Sequence, residues 1–278
     1  MKKAVFVSLL LAIAAVGSFA QTTDTDAVRV PLENYLKGHA TVDIEYTKKA
    51  FHPVGNLEFI RDGVFGSQTV GDYIKSLAGR KPASDERDRK RYIESIDFTG
   101  NAGVAKVISD YPSVRYVDYM ALLKIDGEWK IVNKIYFTEA KGTSAKRTEN
   151  SSDKDFVKVP LENYLKAHAT GNGDHHRKAF YTDGQLIFIR DGKYTTRSFA
   201  EYIAGSSGKP AADEDKRKRW IESVDVSGNA AVAKIILDYP TVRFVDYMSL
   251  LKINGVWKIV NKTFNSEPKQ PAAPSKTQ

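Results

Sequence analysis

Apolar positions recur at helical spacing in the first part of a unit of about 130 residues and at alternate positions in the rest, and this succession of patterns occurs twice. Val28, Leu32, Tyr35, Leu36 and His39 mark an amphipathic helix, with Asp26 as its expected cap and Pro31 near its first turn. A shorter helix is predicted over about 43–51, ending at His52-Pro53, because a residue before proline is pushed out of the helical region. Leu57, Phe59 and Ile60, then Asp62-Gly63, then Val64-Phe65 read as strand, tight turn and strand, since Asp-Gly supplies the positive φ angles of a hairpin. Residues 69–77 read as a third helix capped by Thr69. Alternation takes over afterwards: strands are predicted at 92–98, 102–111, 114–125 and 128–137, with turns at Gly100-Asn101 and Asp126-Gly127.

The second copy is explicit in the residues. VRVPLENYLKGHAT at 28–41 returns as VKVPLENYLKAHAT at 157–170 with 12 of 14 positions identical, and residues 93–134 return as 221–262 with 31 of 42 identical. The offset falls from 129 to 128 because a loop near Pro82 and Pro210 is one residue shorter in the second copy. Solenoid units run roughly 20–50 residues, so a period of this length means two whole domains, expected at 26–140 and 156–265. Helices first and a long antiparallel sheet afterwards predict an α+β fold in each, a curved sheet packed against three helices and enclosing a conical cavity. Residues 141–155 are polar and aperiodic, which predicts a linker; residues 266–278 carry three prolines and no large apolar side chain, which predicts a disordered tail.

Composition narrows the setting. With 42% hydrophobic and 27% charged positions the chain is globular. Lys2 and Lys3, an apolar run at 4–15 and Ser18-Phe19-Ala20 predict a cleavable signal peptide at 1–20, hence a periplasmic or secreted protein starting at Gln21. No later run reaches the ~18 apolar residues of a membrane span. Cysteine is absent, which excludes disulfides, thiolate metal sites and cysteine nucleophiles. The net charge of +8 includes the mixed-sign stretches RKPASDERDRKR and KPAADEDKRKR, which read as solvated surface and not as a nucleic-acid footprint. Neither a P-loop, a dinucleotide fingerprint, a G-x-S-x-G elbow nor an HExxH motif occurs, and no cofactor is expected. His175 and His176 diverge as helix neighbours and have no histidine at i+4, so no metal site is expected either.

The runs AFHPVGNLEFIRDG, IDFTGNAGVAKV and DYMALLKIDGEWKIVNKIY, in helix-first order, resemble the lumazine-binding family of the SnoaL-like, nuclear transport factor 2-like superfamily, once per repeat. The resemblance implies a cone-shaped, cystatin-like α+β domain with a pocket at its open end. It leaves function open, because isomerases, cyclases, dehydratases and binding modules share this scaffold and the site decides among them.

Candidate site residues follow from position. On the last strand Trp129, Ile131 and Asn133 share one face by alternation, as do Trp257, Ile259 and Asn261; Lys130 and Lys134 mark the other face as the solvent side, so both asparagines are predicted to point into the cones. His39 and His168 lie on the first helices in line with Tyr35 and Tyr164, as satisfied core residues or as pocket donors. His52 is the candidate acid or base, at a position that the resemblance puts near the cavity mouth; Tyr181 replaces it in the second copy. Asp118 and Asp246 share the alternation of Lys124 and Lys252 and are expected on the outer face unless a bulge intervenes, while Asp110 and Asp238 share the side of Lys106 and Lys234 and are expected in cross-strand ion pairs. The leading expectation is an exported protein binding a small, partly apolar molecule in both cones, through Tyr35, His39, His52, Trp129 and Asn133 in one and Tyr164, His168, Tyr181, Trp257 and Asn261 in the other. Two alternatives stand beside it. One is an isomerase- or cyclase-like enzyme using His52; the other is a scaffold in which the sheets pack as an intrachain pseudo-dimer, or a homodimer, with Val132 and Tyr136 at the joint.

Overall fold

A computed structural model describes residues 13–142 and 151–269. The first repeat comprises helices α1 (Ile13–Thr41) and α2 (Ile44–Ala50), strands β1 (Phe51–Arg61) and β2 (Val64–Thr69), helix α3 (Val70–Leu77), and strands β3 (Lys90–Thr99), β4 (Ala102–Asp110), β5 (Val114–Ile125) and β6 (Glu128–Ala140). After α4 (Ser151–Phe156) the second repeats the order: α5 (Lys158–Thr170), α6 (Gly173–Ala179), β7 (Phe180–Arg190), β8 (Lys193–Ser198), α7 (Phe199–Ala204), β9 (Lys218–Ser227), β10 (Ala230–Asp238), β11 (Val242–Ile253) and β12 (Val256–Pro268). Two six-stranded sheets result, ordered β2-β1-β6-β5-β4-β3 and β8-β7-β12-β11-β10-β9. Pairing is antiparallel throughout except between β1 and β6 and between β12 and β7, which run parallel.

Local chemistry places the elements where the sequence puts them. Asp43 caps α2 by accepting from Glu45 N at 2.9 Å, and Thr69 caps α3 by accepting from Asp72 N at 3.1 Å. Asp62-Gly63 and Asn254-Gly255 hold φ of 52° and 78°, and 49° and 80°, the left-handed pair that a two-residue hairpin requires.

Three expectations at element ends need correction. Asp26 is not a cap: α1 continues on its N-terminal side, across the expected cleavage point after Ala20, and Pro31 lies inside the helix. Residues 1–12 of the expected signal peptide fall outside the described residues. The linker expected at 141–155 is partly helical, because α4 already belongs to the repeat: Asp153 pairs with Lys252 at 2.7 Å as Asp24 pairs with Lys124 at 2.5 Å, tying each N-terminal helix to its sheet. Its middle, 143–150, lies outside the described residues. The tail expected from 266 starts inside β12, where a backbone ladder from Val242↔Pro268 onward supplies the order that apolar side chains do not; 270–278 lie outside the described residues.

Each sheet has two apolar faces. One is covered by its own helices, with Val28, Leu32, Tyr35, Leu57, Met120, Leu122 and Ile131 in the first core and their counterparts in the second. The other is covered by the partner sheet: Val117, Tyr119, Ile135 and Leu123 pack with Val232, Leu251, Val245 and Tyr247 in shared cores. Contacts across the joint are reciprocal. Lys106 and Tyr119 bind Asp225, and Lys234 and Tyr247 bind Asp97 at the positions equivalent by the repeat. His52 stacks on Tyr194 at 4.1 Å between centroids, and Tyr181 meets Phe65 at 4.5 Å. The contacts thus repeat with the roles of the two copies exchanged. Asp110 and Asp238 form ion pairs, with Lys141 and Lys269, while Lys106 and Lys234 are engaged across the joint.

A single bulge on the last strand of each repeat reverses the expected facing. Ala121 pairs with Asn133 and Leu122 with Ile131, so Val132 is the extra residue; Val260 is its counterpart between Ile259 and Asn261. Trp129 and Ile131 therefore face the helices, but beyond the bulge it is Lys134 and Tyr136 that do so. Asn133 and Ile135 turn to the partner sheet, and the same holds for Lys262 against Asn261. The inward prediction for Asn133 and Asn261 fails for this reason, as does the placement of Tyr136 at the joint, although Val132 does lie there.

Candidate functional site

The first cone holds a cavity of about 480 Å³ built from both layers: Tyr35 and His39 on α1, Phe59 on β1, Tyr73 on α3, Tyr116 and Asp118 on β5, and Lys134 and Tyr136 on β6. At its floor three buried polar groups close on one another. Tyr35 donates to Asp118 Oδ2 at 2.7 Å, and Lys134 Nζ donates to Asp118 Oδ1 at 2.8 Å and to Tyr35 OH at 3.0 Å. An ammonium carries three N–H donors, of which these bonds use two, and Nζ also lies 4.6 Å from the Tyr136 ring centroid. Burial and then the Asp118 charge push the Tyr35 phenol far above its ordinary pKa, which keeps it a donor.

One turn along α1, His39 Nε2 lies 2.7 Å from Tyr73 OH. Burial, then the Lys134 charge, lowers the His39 pKa to about 4, so its ring is neutral near pH 7. Arg61, Arg80, Lys81 and Arg89 also line the cavity. Three of these come from the stretch that sequence patterning reads as solvated charge.

The second cone repeats the floor. Tyr164 donates to Asp246 Oδ2 at 2.7 Å, Lys262 donates to Tyr164 OH at 2.7 Å and lies 3.0 Å from Asp246 Oδ1. Above it, however, Phe244 and Phe264 stand where the first cone has Tyr116 and Tyr136, and Phe264 stacks on Phe188 at 4.9 Å within the packed core. Two cavities described in this repeat, one beside α6 and α7 and one at the cone's rim, are lined by neither Tyr164, Asp246 nor Lys262.

The structure thus brings Tyr35 and His39 to one cavity, with Tyr164 and His168 at matching places in the second cone. Trp129 and Trp257 are buried core residues, with Trp129 edge-on to Phe98 at 5.6 Å. Asn133 donates to Glu58 Oε2 at 3.1 Å on the joint side, where burial raises the Glu58 pKa to about 7 against the lowering effect of that bond. His52 and Tyr181 belong to the joint, and neither lines the first cone. Sequence reading missed Tyr73, Tyr116, Tyr136 and Lys134 as cavity residues and placed Asp118 on the outside. One signal was available: Val132 on the lysine face and Asn133 on the apolar face are both anomalies, and one extra residue at 132 removes both.

Helices folded across a six-stranded sheet define an α+β domain, present here twice. Residues 23–137 and 152–265 match the family described as "Putative lumazine-binding", and the chain belongs to that family. It is similar to a solved NTF-2 like protein of unknown function from Silicibacter pomeroyi, 24% identical with a TM-score of 0.38, covering 42% of this chain and 98% of that one. A second, from Shewanella baltica, is 24% identical with a TM-score of 0.40 and coverages of 44% and 99%. Among curated proteins it resembles Aldolase FrzH of Cladobotryum sp, 26% identical over 117 residues, 41% of this chain and 91% of that protein.

Proposed function

We propose that the protein is an exported small-molecule-binding protein whose working pocket is the first cone, with the second repeat as its built-in partner. The observation that carries this is the cavity of about 480 Å³ reaching the Tyr35–Asp118–Lys134 floor in the first repeat, whereas the cavity beside His168 and Tyr202 in the second is not lined by Tyr164, Asp246 or Lys262. Aromatic walls, tyrosine hydroxyls and the Lys134 ammonium suit a flat, partly apolar molecule with oxygen or nitrogen acceptors. Lumazine, which the family's description names, has that chemistry. Fluorescence titration with lumazine is expected to give one equivalent per chain, lost in Lys134→Met and kept in Lys262→Met. Binding of two equivalents, or binding indifferent to Lys134→Met, sinks the single-cone reading; native mass spectrometry of the exported protein extends the search to copurified molecules. Export itself is tested by N-terminal sequencing, which should begin at Gln21. The reciprocal joint supports an intrachain pseudo-dimer, so sedimentation should report a monomer.

A second reading takes the same floor as catalytic, favoured by the similarity to Aldolase FrzH and by a buried lysine beside a tyrosine. Here Lys134 and Tyr35 would stabilise an enolate oxygen and His39 with Tyr73 would move a proton, replacing the role expected of His52. Asp118 holds Lys134 as an ion pair, which suits an electrostatic role better than a nucleophilic amine. Borohydride trapping of a carbonyl substrate on Lys134 would reverse that assignment.

A further inference from the structure

Two histidines at the rim of the second cone differ in one respect. His168 is engaged on both ring nitrogens, with Tyr202 OH 2.9 Å from Nε2 and Tyr239 OH 3.1 Å from Nδ1. His176 on α6 is 6% exposed, and neither of its ring nitrogens has a hydrogen-bond partner among the described residues. Its ring is fixed by aromatic contact alone, stacked on Phe180 at 5.4 Å and tilted against Tyr202 at 5.0 Å. The first repeat has Thr47 at this position.

His176 lines a cavity of about 480 Å³ together with His168, Arg197, Tyr202, Ser206 and Arg217. Ser206 Oγ is a second buried atom there without a partner. A buried group left unpaired in this way bears its full desolvation penalty. Arg197, Lys209 and Arg217 line the cavity and no carboxylate does, although Asp213 pairs with Arg217 at 2.7 Å from outside the lining. Buried polar atoms without partners, in a lining that carries three cations and no carboxylate, describe a hollow suited to an anion, although Asp213 holds Arg217 and the Glu201 carbonyl accepts from Arg197.

We propose that this cavity binds a small oxyanion, hydrogen-bonded by His176 and Ser206 and neutralised by Arg197 and Arg217. The proposal goes beyond the first-cone reading and does not depend on it. The groups facing the His176 ring are Tyr164 and His168 on α5, Tyr202 on α7, Lys262 on β12 and His175 on its own helix, with Arg197 and Arg217 across the cavity. Burial, and then Lys262, lower its pKa to about 4, so the empty ring is neutral and offers one donor and one acceptor. A bound anion offsets the field of Lys262 and raises that pKa, so binding takes up protons and strengthens as pH falls.

The test uses the full chain with 15N-labelled histidine, titrated with sodium sulfate, whose charge is constant across the neutral range, against sodium chloride at matched ionic strength. Saturable shifts of the His176 ring signals are expected, with half-saturation near ~1 mM and tighter binding at acid pH. His176→Gln and Arg197→Gln should each weaken binding about tenfold, a change of about 1.4 kcal/mol, while Thr47→Ala changes nothing. Equal shifts with chloride, a linear response to sulfate, or wild-type affinity in both variants overturns the proposal. The wild-type titration decides alone if a variant does not fold. A parallel titration with acetate is the second arm: saturation by acetate as well as by sulfate extends the class to carboxylates, and saturation by sulfate alone restricts it to tetrahedral oxyanions.

Discussion

The two cones share a floor and differ in what stands above it. Both bury a tyrosine–aspartate–lysine cluster whose three members lie within 3.0 Å of one another. In the first, tyrosines at 116 and 136 and basic residues from the loop after α3 leave the cluster open to a cavity. In the second, phenylalanines at the same two positions pack, partly buried, against the hydrophobic core, and the two cavities described in that repeat are not lined by the cluster. The two copies thus share one buried cluster, which the cavity described in the first repeat reaches, and the cluster's roles in folding and in binding can be measured separately.

The largest expected effect tests the shared part. Lys134→Met strands the Asp118 charge in a buried site and should cost about 3–5 kcal/mol in chemical denaturation, as should Lys262→Met. The double change Asp118→Leu with Lys134→Met should recover most of that loss, since paired apolar groups replace a buried ion pair at little net cost. If only the first-repeat variant destabilises, the floors are not equivalent.

The next effect comes from a difference at the joint, where Glu58 stands at the position that Ile187 holds in the second copy. With its pKa raised to about 7 in the folded state, Glu58 holds a proton that the unfolded chain gives up, so its contribution is most favourable at acid pH and is lost as pH rises toward about 7. The neutral histidines His39 and His176, lowered to about 4, oppose this trend below their unfolded value. The Glu58 term is therefore read as a difference: Glu58→Gln should gain roughly 2–3 kcal/mol over wild type at pH 8 and little at pH 5. A pH-independent difference contradicts the assignment.

Exchanging the upper residues tests the distinction itself. Tyr116→Phe with Tyr136→Phe should leave stability nearly unchanged and weaken ligand binding in the first cone about tenfold, or about 1.4 kcal/mol. Binding unaffected by the exchange would move the distinction away from those hydroxyls. The smallest effect checks the symmetry of the joint. Asp97→Asn and Asp225→Asn, both about half exposed, should each cost about 1 kcal/mol or less and agree within about 0.5 kcal/mol in thermal unfolding.

Much of this architecture was legible in the residues. Asp-Gly and Asn-Gly turns, the Asp43 side of α2, the Thr69 cap and the strand over 114–125 are local signals, and each appears where it was read. The repeat carried the fold to the second copy. The site was less legible: Tyr35 and His39 were found because a helical stripe points toward the core, whereas Lys134 and Asp118 were assigned outward on the ground that charge marks solvent. Arg80 and Arg89 were hidden in a mixed-charge stretch for the same reason. His52 looked reactive, and nothing local reveals that Tyr194, far along the chain, stacks upon it.

By itself the sequence determined the duplication, the order of helices and strands and the turns between them, because each depends on residues a few positions apart. Which face of the last strand looks into the cone was decided only in the tertiary structure. One bulge at Val132 shifts the alternation by a residue, and that shift exists only as a pairing between β5 and β6. The partner sheet then buries the face that was expected to be wet, sending Asn133 to the joint and leaving Lys134 to be neutralised by Asp118 inside.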